Sequence, residues 1–171
     1  MASIIEELIS TLKEEDRVYD ELLPIAKGKT RVIVDGDLKK LEEITEQEQL
    51  VIEKINALEK KRTAAVVDIG TVMSRNPSAL TLTKIIELLK KQPEEARTLS
   101  TLHDSLTGKL KILSDLNRSN GELINHALEM VDFDLNLVQS TRMSPGTNNY
   151  TKNASQDGDS QIQTGSFDAK Q

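Results

Sequence analysis

The chain of 171 residues is 37% hydrophobic, 29% charged and only 2% aromatic, with no Trp and no Cys, a composition that fits one ordinary domain and argues against a β-sandwich, a disulfide scaffold or a zinc–thiolate site. Its formal net charge of −6 repels nucleic-acid phosphates and anionic lipid surfaces, so neither nucleic acid nor membrane is expected as a partner. The apolar run from Met1 to Leu12 carries Glu6 and Glu7, and no stretch of about 18 uncharged apolar residues occurs in the chain, so neither a signal peptide nor a membrane span is expected, and a cysteine-free chain suits the cytoplasm.

The first apolar stripe, Ile5, Leu8, Leu12, Glu15, Tyr19, Leu22 and Ala26, alternates spacings of 3 and 4, the period of a helix with one buried face. Ser3, with Glu6 three residues on, reads as a capping box. Pro24 and Gly28 predict a kink or a frayed end. The run from Arg31 to Asp35 reads as a buried strand or as the end of this helix; with no second strand to pair with, the helix end is favoured. Asp35-Gly36-Asp37 then breaks the pattern, and Asp37 is placed to cap the next helix.

A second stripe, Leu41, Ile44, Glu48, Val51, Ile55, Leu58, Arg62, Ala65 and Ile69, holds the same alternation, the period of helices that supercoil around a neighbour. Asn76-Pro77 marks a turn, after which Ser78 is expected to cap a short helix through Leu80, Leu82, Ile85, Ile86, Leu88 and Leu89. Such a piece is too short to stand alone, so it should pack over the end of the longer helices. From Pro93 to about Ser140 runs the longest stripe, Leu99, Leu102, Leu106, Leu110, Leu113, Asn117, Asn120, Ile124, Ala127, Val131, Leu135 and Val138. A helix of ~45 residues would be roughly 68 Å long. Ile112, Leu116, Leu123, Leu128, Met130 and Leu137 flank that stripe, making an apolar arc wider than a two-helix seam requires. Asn117 and Asn120 interrupt it at consecutive seam positions. Either they are buried and fix register or partner, or the seam opens there and both amides are wet. Residues 141–171 change abruptly to Ser, Thr, Asn, Gln and Gly with balanced charge, a composition expected to form a disordered tail after a helical domain of residues 1–140.

Reactive chemistry is scarce. Gly28-Lys29-Thr30 imitates the end of a phosphate-binding loop, but Leu23 stands where the first glycine belongs and a helix precedes it. His103 and His126 lack the repeated Glu-x-x-His spacing of di-metal bundles. Glu42, Glu43, Glu46 and Glu48 read as a solvated helix face, without the burial that moves a carboxylate into a working range. Asn117-Arg118-Ser119 and Asn153-Ala154-Ser155 fit the glycosylation triplet, too short a signal to weigh. No nucleophile has a base beside it. The chain is therefore expected not to be an enzyme and to use no cofactor and no metal.

Two segments carry a family resemblance. One is Gly36-Asp37-Leu38-Lys39-Lys40-Leu41-Glu42-Glu43-Ile44, continued from Gln47-Glu48-Gln49-Leu50-Val51 to Arg62; the other is Leu116-Asn117-Arg118-Ser119-Asn120-Gly121-Glu122-Leu123-Ile124-Asn125-His126-Ala127-Leu128. With the first helix, the pattern over roughly residues 3–140 resembles the FlgN family, flagellar export chaperones for hook-filament junction proteins. The resemblance implies an all-α fold, an elongated antiparallel helical bundle or coiled coil with one short central helix. It implies binding of the C-terminal helical segment of the junction proteins, delivery to the export gate, and no nucleotide hydrolysis. On that reading Leu113, Asn117, Asn120, Ile124, Ala127, Val131, Leu135 and Val138 are the candidate client-binding surface; plain bundle core is the other role for such a stripe. Tyr150 and Phe167 are isolated aromatics in a polar segment, and Tyr150 is the candidate contact with the export gate. An exposed seam also leaves room for self-association when no client is bound. A coiled-coil adaptor or tether without a secretion role would share these heptads.

Overall fold

The computed structural model describes residues 2–89 and 91–142. Helix α1 spans Ala2–Asp35, α2 Leu38–Val72, α3 Leu82–Leu88 and α4 Pro93–Arg142, with a single 3₁₀ turn at Pro77–Ala79 between α2 and α3. No strand occurs among the described residues, so the fold is all-α and Arg31 to Asp35 is the end of a helix. The chain divides into a unit Met1–Phe133 and a second beginning at Asp134. Residues 143–171, most of the expected tail and with it Tyr150, lie outside the described residues.

Helix ends follow local chemistry. Helix α1 closes on Gly36 at φ 67°, with Gly36 N–H donating to the Ile33 carbonyl at 3.1 Å and Asp37 N–H to the Val32 carbonyl at 3.4 Å. That is a left-handed helix stop, which a residue without Cβ takes at no steric cost. Asp37 also caps α2 as expected, its carboxylate accepting from Lys40 N–H at 3.1 Å. One residue therefore ends α1 and starts α2, which makes the turn between them tight. Helix α2 ends in the same way with Ser74 in the left-handed position, Arg75 N–H donating to the Gly70 carbonyl at 2.8 Å. Gly70 has no room for a side chain, because a Cβ there would lie 2.9 Å from Pro77 Cγ.

Two expected caps are displaced. Ser3 lies inside α1, which already begins at Ala2, and Thr81, in place of Ser78, caps α3 by accepting from Lys84 N–H at 3.3 Å. Ser78 is taken up in the 3₁₀ turn, its N–H donating to Asn76 Oδ1 at 3.1 Å. The turn at Asn76-Pro77 thus extends further than the dipeptide signalled, and the helix begins later.

Cross-helix pairs give the direction of packing. Lys29 with Glu48, Glu21 with Lys54 and Glu15 with Arg62 show α2 antiparallel to α1. Ser105 and Lys109 on Asp16, and Asn120 on Thr30 and Ala26, show α4 parallel to α1. The apolar stripes meet in two clusters. The first joins Ile5, Leu8 and Leu12 of α1 with Ala65 and Ile69 of α2, Ile85 and Leu89 at α3, and Leu99 and Leu106 of α4. Helix α3 therefore covers the end of the longer helices, as its length required. Leu8, Leu12, Ile85 and Leu99 are fully buried, and cutting any one to Ala costs about 2–5 kcal/mol. The second cluster joins Val18, Leu22, Val51 and Leu58, with Ile25, Ile55 and Leu113 against it.

A polar layer lies beside these clusters. Glu15 is only 2% exposed, its Oε2 3.4 Å from Arg62 Nη1, and Arg62 also reaches Glu59 at 3.6 Å. Burial pushes the Glu15 carboxyl above its ordinary range; Arg62 opposes this and Glu59 adds to it. Its neighbour Asp16 moves the other way: burial would raise it, but the Ser105 hydroxyl at 2.7 Å and the Lys109 ammonium at 2.9 Å hold it below the ordinary value. The folded protein thus binds the Glu15 proton more tightly than the unfolded chain does, and the Asp16 proton less tightly. The Glu15 contribution is full below its ordinary 4.5 and is lost as pH rises through its folded value. The Asp16 contribution is present above its ordinary 3.8 and is lost as pH falls through its folded value. In urea unfolding followed by helix content, Glu15→Gln should flatten the decline in stability from mild acid to neutrality. Asp16→Asn should cost about 1 kcal/mol at neutral pH and progressively less in acid.

Candidate functional site

The stripe of α1 continues past Ala26 at the same spacing to Lys29 and Ile33, so a lysine occupies a seam position. It is matched across the seam by Glu48 of α2. Lys29 Nζ lies 2.6 Å from Glu48 Oε2, with the two side chains 18% and 12% exposed. Glu48 is thus the exception in the acidic face: Glu42, Glu43 and Glu46 are solvated, whereas Glu48 is buried and paired. Beside this pair, Thr30 Oγ1 donates to Asn120 Oδ1 at 2.6 Å, and Asn120 Nδ2 donates to the Ala26 carbonyl at 3.3 Å. Asn120 is 4% exposed. A buried amide with its oxygen and one N–H satisfied tolerates little sliding, because any slip strands both groups away from water. The Gly28-Lys29-Thr30 triplet therefore serves this second polar layer.

Beyond the layer the packing opens. Val32 and Ile33 at the end of α1, Leu38 and Leu41 at the start of α2, and Ile124, Ala127, Leu128 and Val131 of α4 line a cleft of about 180 Å³, closed at the turn by Gly36 and Asp37. Apart from Asp37 its lining is apolar. A larger recess of about 480 Å³ near α3 is lined by Arg75, Asn76, Lys84 and Glu87 together with Leu80 and Leu88; its mixed charge makes no continuous apolar wall. Leu38 is 79% exposed and Val131 53%, so the cleft is bordered by large side chains that the chain itself leaves in water. Isolated exposed leucines are ordinary, whereas contiguous apolar surface makes a cleft a candidate for interaction.

The candidate residues separate into three groups. Ile124, Ala127 and Val131 are brought together in the cleft. Leu113 packs against the second apolar cluster and Asn120 lies in the polar layer, both turned to the interior, while Asn117 is exposed. The two asparagines thus do not share one environment: one is buried and bonded, the other wet. Leu135 and Val138, in the unit that begins at Asp134, are 54% and 49% exposed on α4. Val32, Ile33, Leu38 and Leu41 complete the cleft and were not among the candidates. The continuation of the first stripe through Lys29 was the signal for Ile33, and the second stripe, which opens at Leu41, was the signal for the α2 wall. His103 and His126 sit beside Asp104 and Glu129, at 3.1 and 3.5 Å, on half-exposed and exposed faces. Among the described residues no group of three or more His, Cys, Asp or Glu is placed to hold a metal ion, and no helix is long and apolar enough to cross a membrane.

Comparison with known families decides which proteins this arrangement belongs with. A family model for the FlgN protein matches residues 1–158. The chain belongs to the FlgN family. That family is one of flagellar export chaperones, which matches a helical fold with an open apolar cleft. No curated protein and no solved structure matches the chain.

The different surroundings of the two asparagines are directly measurable. Asn120→Ala should lower the unfolding free energy by about 1–3 kcal/mol, because Thr30 and the Ala26 carbonyl lose a buried partner. Asn117→Ala should stay within about 0.5 kcal/mol. Chemical denaturation of the two variants checks both values.

Proposed function

We propose that this member of the FlgN family binds the C-terminal helical segment of a hook-filament junction protein in the cytoplasm, keeps it from associating early, and delivers it to the export gate. The observation that carries the reading is the apolar cleft between the α1–α2 turn and α4, lined by Ile33, Leu38, Ile124 and Val131. A subunit that assembles through its terminal helices exposes an unpaired apolar face as a monomer, and a chaperone supplies a substitute groove for it. The chain's own helices α1, α2 and α4 form three sides of such a groove, and the client helix completes the packing. This role asks for no reaction and no cofactor, since binding and release suffice. Of the candidate residues, Ile124, Ala127 and Val131 form the floor of the groove, and Leu135 and Val138 are further apolar contacts for a client on α4.

Replacing Ile124 and Val131 together with Asp should abolish co-purification with the junction protein while circular dichroism shows the helix content largely kept. Loss of the fold would place both residues in the core and remove the reading. Tyr150 is the proposed contact for the gate. Deleting residues 141–171 should leave client affinity unchanged and weaken binding to purified gate protein, and unchanged gate affinity would remove that contact.

A further inference from the structure

The chain is acidic as a whole, yet one stretch reverses the sign. Between Asp68 and Glu94 stand four Lys or Arg and one Glu, in a chain of net charge −6. Two of these cations, Arg75 and Lys84, line the recess of about 480 Å³ beside α3, together with Leu80, Leu88 and Glu87. Lys84 Nζ donates to the Ala79 carbonyl at 2.9 Å, which holds the ammonium at the recess and leaves its other N–H groups for a further acceptor. Arg75 is fixed through its backbone, its N–H donating to the Gly70 carbonyl at 2.8 Å just after Ser74 at φ 52°. Its side chain is exposed and brings a planar fork of donors that suits a carboxylate. Among the described residues neither cation has a carboxylate partner. Leu80 is half-buried and Leu88 is 40% exposed, so apolar side chains reach water beside two unpaired positive charges.

We propose that this recess is a second docking site, which takes a short acidic segment of a partner protein, with one apolar side chain against Leu80 and Leu88 and a carboxylate on Arg75 and Lys84. The site is independent of the cleft. It follows the end of α2, whereas the cleft lies at the start of that helix, and the 35 residues of α2 put roughly 52 Å between them. Occupants of the two sites therefore do not exclude each other. A guanidinium and an ammonium bind a carboxylate through charge-assisted hydrogen bonds, and a recess of this size with a few polar groups among apolar ones suits a small segment rather than a whole helix. Glu87 stands on the same rim without a cationic partner among the described residues. It disfavours a dense run of negative charge, as does the net charge of the whole chain, and this separates a peptide with isolated carboxylates from nucleic acid or an anionic membrane.

The test follows the full isotope-labelled chain by NMR as it is titrated with a short peptide holding two Asp and one Leu in a Ser and Gly background. Two altered peptides carry Asn for Asp or Ser for Leu. Amide signals from Arg75 to Leu88 should shift with the first peptide, and each altered peptide should bind about tenfold more weakly. The difference between the Asp and Asn peptides should shrink as salt screens the exposed charges. Arg75→Gln combined with Lys84→Gln, both at exposed positions, should reduce binding of the Asp peptide to that of the Asn peptide while circular dichroism shows the helix content unchanged. Equal binding of the Asp peptide and either altered one overturns the proposal, as does binding that survives in the double variant. Shifts confined to Ile124, Ala127 and Val131, or no shift at all, overturn it too. A single-stranded oligonucleotide that moves the same amides at lower concentration than the Asp peptide overturns it in favour of nucleic acid.

Discussion

The hydrogen bond between Thr30 and Asn120, 2.6 Å long and buried, sets the register of α4 on α1, and the cleft depends on that register. Apolar side chains alone specify a face and leave sliding along it weakly resisted, because one leucine contact resembles the next a heptad away. An amide and a hydroxyl that must meet out of water do not allow that freedom. Together with the Lys29–Glu48 pair, they also mark where the protein's own core ends. On one side lie Val18, Leu22, Val51 and Leu58, closed by the chain itself. On the other lie Val32, Ile33, Leu38 and Val131, which line an open cleft.

The polar pairs across the long seam share this logic of position while differing in energetic sign. Glu15 is buried beside an arginine that only partly compensates its charge, so ionisation there works against the fold. Asp16, next to it, is held by Ser105 and Lys109 and favours the ionised state. Lys109 also reaches Asp20 at 2.8 Å, so one ammonium on α4 holds two successive turns of α1. Such contacts align the parallel pair, where the apolar stripes alone would permit several offsets.

Part of the bundle is left uncovered at the end of α1. The same heptad pattern that folds the first cluster shut leaves an apolar face open where α1 stops and α4 continues. The cost is an exposed apolar surface in the free protein.

The existence, order and buried faces of the four helices were legible in the sequence because spacings of 3 and 4 recur for many turns, and Asp37 was legible as a cap because capping is a local contact. Ser78 was misplaced as a cap because several polar residues near that helix start compete, and the chain path decides which one meets the free N–H groups; Ser3 lies inside α1, which begins at Ala2. The FlgN pattern was likewise carried by sequence. What periodicity could not separate was core from cleft: Leu113, Asn120, Ile124 and Val131 lie on one continuous stripe, yet the first two are turned to the interior and the last two line the opening. That distinction depends on where a neighbouring helix stops. The end of α1 at Gly36, measured along α4 through the Thr30–Asn120 contact, is a relation between residues 90 apart in sequence, and only tertiary packing establishes it.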